Sequence, residues 1–292
     1  MKRFFQVMTL LWLTFTAVCA QDAPVAPSTP FAYPQAPDTC STLESRCNYI
    51  ISHFWDNYDI TRPIADDAAF ETAFRDFVDF FRFGHRNIVM STIRDFLFKA
   101  QSNNANLLKV GQVAERVLYG PNAEYWSDEV YLAIARFMAD ASRLKKSERE
   151  YYKDQVARIE RNQTGAVVDF EFTDATGSKT RLSALPAVHT VVFFGDNGAD
   201  TSIDRLRLST DVKVNALIES GQLNVVHVLV DKPAEGWPAA AQSLPKNWVN
   251  GYNDRIDDVF DVRFVPSCMV VDPERKILNK NVRVETIKQA FE

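Results

Sequence analysis

A strand–turn–helix pattern in the C-terminal half constrains the fold of this chain more than any other feature. Four apolar residues of strand type, Val191 to Phe194, run into a turn rich in Gly, Asp and Asn. Apolar residues then recur at helical spacing from Ile203 to Leu217. This pattern is typical of a βα unit. It therefore predicts an α/β structure for this part of the chain.

The residues after Gly165 repeat the alternation of strands and helices. Short strands are predicted at 167–172, 180–182, 189–194, 223–230, 267–272 and 277–279. Helices are predicted at 201–220, around 237–244, at 256–262 and at 284–291. Such an order indicates an α/β sheet that is covered by helices on both faces.

The preceding residues have a different pattern. From Ser41 to Asn162, apolar residues recur every three or four positions with polar residues between them, which predicts about six amphipathic helices. Residues 21–39 contain five prolines among Ala, Ser, Thr and Asp, so we expect an extended linker there. The phenylalanines of the helical region have core spacing, and we expect them to form its interior.

The N-terminus has the pattern of a secretory signal. Lys2 and Arg3 precede an apolar run from residue 4 to residue 18, and small residues precede Gln21. We expect cleavage after Ala20 and export of the mature protein to the periplasm or cell envelope. Lipidation at Cys19 is the weaker interpretation, since the residues ahead of it do not fit a lipidation site. No other segment approaches the roughly 20 apolar residues of a transmembrane helix.

Charge and cysteine content narrow the classes of partner and chemistry. Without Lys2 and Arg3 the chain has 31 basic against 38 acidic residues, a net charge of −7, which argues against a nucleic-acid partner. Cys40 and Cys47 are candidates for a disulfide in an oxidising compartment. However, a helix starting near Ser41 would hold their Cα atoms beyond the ~7 Å that a bridge tolerates. Both alternatives stay open.

Other arrangements of polar residues predict neither a metal site nor a cofactor. Asp196 and Asp200 lie in one turn, but the long loop and closing Glu of a calcium-binding EF-hand are missing. Ser202 has no nearby general base, and Cys268 lies in a strand as a small apolar residue. The histidines lack metal-ligand spacing; they are His53, His85, His189 and His227.

Two resemblances cover nearly the whole mature chain. Residues 167–172 followed by 177–182 are similar to the entry of thioredoxin-like domains in exported Bacteroidetes proteins. Residues 53–59 and 117–123, with 128–131 after them, resemble the helical domain of unknown function DUF5106. The chain then divides into a signal peptide (1–20), a Pro-rich linker (21–39), a helical domain (40–164) and a thioredoxin-like domain (165–292).

The resemblance places a degenerate redox site at the strand–turn–helix. In the family, four residues separate the aromatic end of the strand from the first cysteine, which assigns Ala199 to the nucleophile and Ser202 to the resolving residue. The Cys-x-x-Cys motif is therefore Ala199-Asp200-Thr201-Ser202, and no thiolate is available there. Val265 and Pro266 match the cis-proline position, where family members pair with an extended substrate segment.

Three functions follow as hypotheses. The first is an exported, non-catalytic thioredoxin-like protein that binds a peptide or protein partner through the helical domain or the remaining groove. The second is a thiol–disulfide oxidoreductase that uses Cys268, or Cys40 and Cys47, in place of the missing pair. The third is a structural component of the envelope.

Overall fold

A computed structural model describes residues 30–231 and 236–290. The predicted signal peptide and the first part of the predicted linker lie outside these residues. Within them, an N-terminal helical domain is followed by a seven-stranded mixed sheet. The helices at 199–219 and 284–290 pack on one face of this sheet, whereas 3₁₀ turns and extended segments pack on the other, so the predicted covering of both faces by helices is wrong. No helix in these two ranges is both long and apolar enough to cross a bilayer.

The helical domain contains six α-helices, as the apolar spacing predicts. They are α1 (Leu43–His53), α2 (Asp67–Asp79), α3 (Arg86–Ala100), α4 (Asn104–Leu118), α5 (Asp128–Asp140) and α6 (Lys146–Arg161), with a 3₁₀ turn at Phe80–Phe83. Asp66, Asn103 and Ser127 cap α2, α4 and α5 with their side chains. Helix α1 is capped by Thr42 and Ser45 reciprocally, one residue later than the expected start at Ser41.

The phenylalanines form the interior of this domain, as expected. Phe54, Phe70 and Phe77 are almost completely buried around the Trp55 ring. The end of the predicted linker joins this core: Phe31 packs against Phe54, Trp55 and Tyr58, and the Tyr33 hydroxyl donates to Asp76 at 2.7 Å. Residues 31–33 therefore belong to the helical domain and are not a simple spacer.

The sheet has the strand order β2-β1-β5-β4-β3-β6-β7. Its strands are β1 (Glu171–Asp174), β2 (Lys179–Arg181), β3 (His189–Gly195), β4 (Leu223–Leu229), β5 (Val249–Tyr252), β6 (Ser267–Val271) and β7 (Ile277–Val282). Strands β3, β4 and β5 are parallel, whereas β6 pairs with β3 in the antiparallel sense. The accompanying helices are α7 (Ala199–Ser209), α8 (Val212–Glu219), α9 (Trp237–Ala241) and α10 (Val284–Ala290).

Four elements of this half differ from the sequence-based prediction. Strand β1 begins at Glu171 and not at residue 167, and β5 was not predicted. The helix expected at 201–220 is two helices, because the Asp211 side chain accepts the Lys213 and Val214 amides and starts α8. The helix expected at 256–262 is a single 3₁₀ turn, Ile256–Asp258.

A buried group of charged residues joins the two domains, and we call it the junction cluster: Tyr119, Asp128, Asp261, Arg263 and Lys280. Arg263 binds both Asp261, at 2.9 Å, and Asp128. Lys280 lies 2.7 Å from Asp128 and 3.2 Å from Asp261, and the Tyr119 hydroxyl donates to Asp261 at 2.7 Å. Every member thus has a partner across the boundary, so the cluster holds the domains against each other.

Candidate functional site

The turn between β3 and α7 is closed by one carboxylate. Gly198 precedes α7, and the Asp196 side chain accepts its amide at 2.9 Å. The Thr201 hydroxyl donates to the same carboxylate at 2.5 Å. The hydrogen bond from Thr201 is the main cause of the lowered pKa of Asp196. An anion is favoured at a helix N-terminus, and here the Asp196 carboxylate supplies that anion.

The two residues assigned to the redox positions both face outward. Ala199 is the first residue of α7 and is exposed. Ser202 is also exposed, and its hydroxyl lies 3.3 Å from the carbonyl oxygen of Gly198. In the first turn of α7, the side chain that faces the sheet is Thr201, which is fully buried. The residue that packs against the sheet is therefore Thr201, and neither Ala199 nor Ser202 does so.

Sequence reasoning missed Thr201 because two apolar residues of α7 are exposed and do not pack against the sheet. Ile203 and Leu206 have helical spacing but are 48% and 63% exposed. The buried stripe is Thr201, Asp204 and Leu208, which also has helical spacing but is mostly polar. The buried residues therefore recur at helical intervals of three and four positions. Two of the three, however, are of types that usually lie on protein surfaces.

The space beneath the first turn of α7 is filled. A Cβ atom at Gly195 would lie 2.5 Å from the Thr201 methyl carbon and 3.0 Å from Nε2 of His227. His227 lies on β4 directly opposite Phe193 of β3 and is almost fully buried. Burial, and secondarily the charge of Arg205, lowers the pKa of His227 to about 3. This histidine is thus neutral at pH 7, and glycine is required at position 195.

The three cysteines of the described residues are free thiols, and none lies at the start of α7. Cys268 is completely buried on β6, and burial raises the pKa of its thiol well above the usual range. Cys47 is buried in α1, where desolvation likewise raises its pKa. Cys40 precedes α1 and is half-buried. The candidate bridge between Cys40 and Cys47 is not formed in the structure.

Val265 and Pro266 lie just before β6, at the edge of the same site. The peptide bond between them is cis, which confirms the expectation from the resemblance. Pro266 is buried, and Val265 is half-buried. Across residues 30–231 and 236–290, no hydrogen bond engages the backbone N–H or C=O of Val265. These backbone groups are therefore free to pair with another chain.

These elements line a cleft of about 750 Å³ between the domains. The helical domain contributes the loop from Pro121 to Trp126, and the sheet domain contributes α7, residues 264–266 and the start of α10. The Trp126 ring stacks on Phe264 with a centroid distance of 5.2 Å. The cleft thus combines apolar rings, an unpaired backbone segment and charged walls.

The charges of the cleft are largely neutralised within it. Arg207 lies 3.1 Å from Asp204 and 2.9 Å from Glu285. Arg283 covers the Phe264 ring at 5.1 Å and has no carboxylate partner among the residues that the structure describes. Asp200 lines the cleft from the first turn of α7 and is exposed. This arrangement suits an occupant of low net charge and an extended backbone.

Comparison with solved structures shows one that resembles nearly the whole chain. A thioredoxin-like protein from Bacteroides caccae superimposes with a TM-score of 0.78 at 22% identity, covering 89% of this chain and 97% of that chain. The C-terminal domain of an uncharacterized protein from Bacteroides fragilis is 22% identical, with a TM-score of 0.41, covering 45% of this chain and 98% of that chain. The thioredoxin domain of a thiol-disulfide oxidoreductase from Bacteroides vulgatus, also 22% identical, gives a TM-score of 0.37 over 44% of this chain and 99% of that chain.

Sequence comparison identifies the N-terminal half. None of the curated proteins matches the chain significantly. The family model described as "Domain of unknown function (DUF5106)" matches residues 14–162, which is about half of the chain. The protein therefore belongs to the DUF5106 family, and its helical domain is followed by a domain with the thioredoxin-like fold.

Proposed function

We propose that this protein is an exported, thioredoxin-like protein without thiol–disulfide activity, which binds an extended segment of a protein partner in the cleft beside Val265 and Pro266. The observation that carries the proposal is the combination of a sulfur-free helix start with an unpaired backbone segment in an open cleft. Main-chain pairing with an extended segment supplies affinity without covalent chemistry.

Without sulfur at the start of α7 the site has no thiol–disulfide exchange, but the cleft that would bind the segment is still present. Exchange needs a thiolate that attacks a disulfide sulfur and a second thiol that resolves the product. Ala199 cannot attack, and the Asp196 carboxylate occupies the place where the helix N-terminus stabilises an anion. Ile203 and Trp126 remain partly exposed in the cleft, where they favour burial against a ligand.

A divergent oxidoreductase remains the competing function, and the positions of the cysteines weigh against it. A reactive cysteine is exposed and has a lowered pKa, whereas Cys268 and Cys47 are buried and have raised pKa values. An insulin-reduction assay separates the two functions. We expect no turnover above the uncatalysed rate; turnover that disappears in the Cys268→Ser variant would establish the oxidoreductase instead.

Binding in the cleft is tested with a charge placed in its apolar wall. Ile203→Glu should weaken binding to a fluorescein-labelled library of unstructured peptides by at least about tenfold, because a carboxylate replaces apolar contact area. Leu206→Glu is the matched control, since Leu206 lies on the same helix but does not line the cleft. Equal losses in both variants, or none in either, would refute the location of the site.

Export follows from the N-terminal sequence and forms part of the same proposal. The basic residues, apolar run and small residues before Gln21 have the pattern of a cleaved signal. Mass spectrometry of the protein from the periplasmic fraction should find an N-terminus at Gln21. An intact Met1 in the cytoplasmic fraction would contradict export.

A further inference from the structure

A second cavity lies in the helical domain, and we call it the helical pocket. Its volume is about 370 Å³. Its apolar lining is formed by Val78, Phe81, Val89, Met90, Leu118 and Val130. The sheet domain contributes no residue to it, and the function proposed above does not use it.

The charged residues at the helical pocket are paired with each other. Arg82 lies 3.0 Å from Asp79, and Arg86 pairs with Glu129. These two pairs cancel, so the pocket presents an apolar interior without an unpaired charge. A charged group entering it would lose hydration without gaining a free partner, whereas an uncharged apolar group would gain by leaving water.

Trp126 connects the helical pocket to the cleft, because this residue lines both cavities. The indole N–H donates to the carbonyl oxygen of Gly120 at 3.1 Å, and the ring stacks on Phe264. The two cavities thus adjoin each other at Trp126. In an extended chain, side chains on the same side recur about every 7 Å, so neighbouring side chains of one extended segment can occupy two adjoining cavities.

We propose that the helical pocket receives a large, uncharged apolar side chain of the segment bound in the cleft. This inference rests on the proposed function and defines its partner: an extended segment with one Leu-, Met- or Phe-sized residue that anchors it in the helical domain. A cavity of this volume is within the range of specific ligand pockets. In this proposal the cleft pairs with the backbone of the segment, and the helical pocket selects one of its side chains. Trp126 lines both cavities.

The test uses a positional-scanning library of fluorescein-labelled decapeptides and measures anisotropy with the purified protein. We expect one position at which Leu, Met or Phe binds roughly 10- to 100-fold more tightly than Ala. Met90→Trp fills the pocket and should abolish that preference. Phe98→Trp is the control, since it places a tryptophan on the same helix at a 68% exposed position outside both cavities.

A second variant keeps the test decisive if Met90→Trp does not fold. Phe81→Ala enlarges the pocket and should shift the preference from Leu towards Trp. Peptide binding without any apolar preference, or a preference unchanged in the variants that fold, would overturn the anchor while leaving the cleft proposal standing. Absence of all peptide binding would overturn both. A dimer that becomes monomeric on filling the pocket would also overturn the anchor, because its occupant would be a second copy.

Discussion

The junction cluster and the start of α7 are both buried polar regions, but they satisfy their polar groups differently. In the junction cluster, Arg263 and Lys280 each contact two carboxylates, and Tyr119 donates to one of them. Beneath α7, neither ring nitrogen of His227 has a hydrogen-bond partner in the described part of the chain.

The two regions therefore differ in how burial changes the pKa of their titratable side chains. Burial alone would raise the pKa of Asp261, but the charges of Arg263 and Lys280 and their hydrogen bonds outweigh it and hold the pKa low. Burial of His227 is opposed by no such partner, so its pKa falls. The first region stabilises a charge, whereas the second excludes one.

The largest expected effect is at the junction. Arg263→Met leaves the carboxylate of Asp261 buried without its main partner and should lower the free energy of unfolding by about 3–5 kcal/mol, measured by urea denaturation. Arg136→Met is the control, because its pair with Glu160 is more than 40% exposed on both sides and should cost less than about 1 kcal/mol. Similar losses in the two variants would remove the distinction between this cluster and a surface pair.

The next largest effect is a dependence of the free energy of unfolding on pH. We expect it from His227 but not from the junction cluster. His227 binds a proton in the unfolded chain below its usual pKa near 6.5, but in the folded protein only near 3. Stability is therefore lost as the pH falls through this window, by roughly 2 kcal/mol between pH 7 and pH 5. Urea denaturation at pH 7 and pH 5 should show this loss, and His227→Phe should abolish it.

The control for this loss is His189→Gln, which changes an exposed histidine at the start of β3 and should leave the loss intact. The junction should not contribute in this range. The pKa of Asp261 is lowered, so its stabilisation is present above the unfolded value near 3.9 and is lost only at lower pH. An equal pH dependence in wild type and His227→Phe would argue against a neutral buried histidine.

A smaller effect tests whether the N-terminus of α7 still stabilises an anion. The thiol of an Ala199→Cys variant lies at the first residue of α7, and its pKa should fall by roughly 0.5–1 unit below the usual 8.5. The pH dependence of alkylation by iodoacetamide measures it. Thr210→Cys, at the other end of α7, should show no decrease. Equal pKa values for the thiols at positions 199 and 210 would mean that the Asp196 carboxylate cancels the favourable electrostatic potential of the helix N-terminus.

The smallest effect comes from the neighbouring carboxylate. Asp200 is exposed beside position 199 and disfavours a thiolate there. Asp200→Asn in the Ala199→Cys background should lower the thiol pKa by a few tenths of a unit, with a matching rise in the alkylation rate at pH 7. Asp254→Asn, an exposed change outside the cleft, is the control. A change of equal size in the control would assign the effect to net charge alone.

The sequence predicted the architecture well where periodicity was strong. The six helices of the helical domain and strand β3 follow from apolar spacing, because burial imposes a period on any chain. Strand β5 was missed since Val249–Tyr252 is short and contains Asn and Gly between two loops. The division at Asp211 was missed because the apolar spacing continues across it, and only a side-chain cap interrupts the helix.

The site was less predictable than the fold because it depends on contacts between distant residues. The cis bond before Pro266 was expected from the resemblance. The closing role of Asp196, the filling of the space by His227 and the second wall from Trp126 were not. These three residues come from separate elements, and no local pattern states that they meet. The register at Ala199 likewise depended on motif spacing, which does not reveal that Thr201 points inward.

The junction cluster also determines when the cleft can exist during synthesis. Asp128 and Arg263 are 135 residues apart, and Glu285 of the cleft lies close to the C-terminal end of the described residues. A nascent chain that has completed only its helical domain therefore has the helical pocket and Trp126 but no opposing wall. The binding that we propose for the cleft therefore needs residues 264–285 as well as the helical domain, and a chain that ends before them lacks the site.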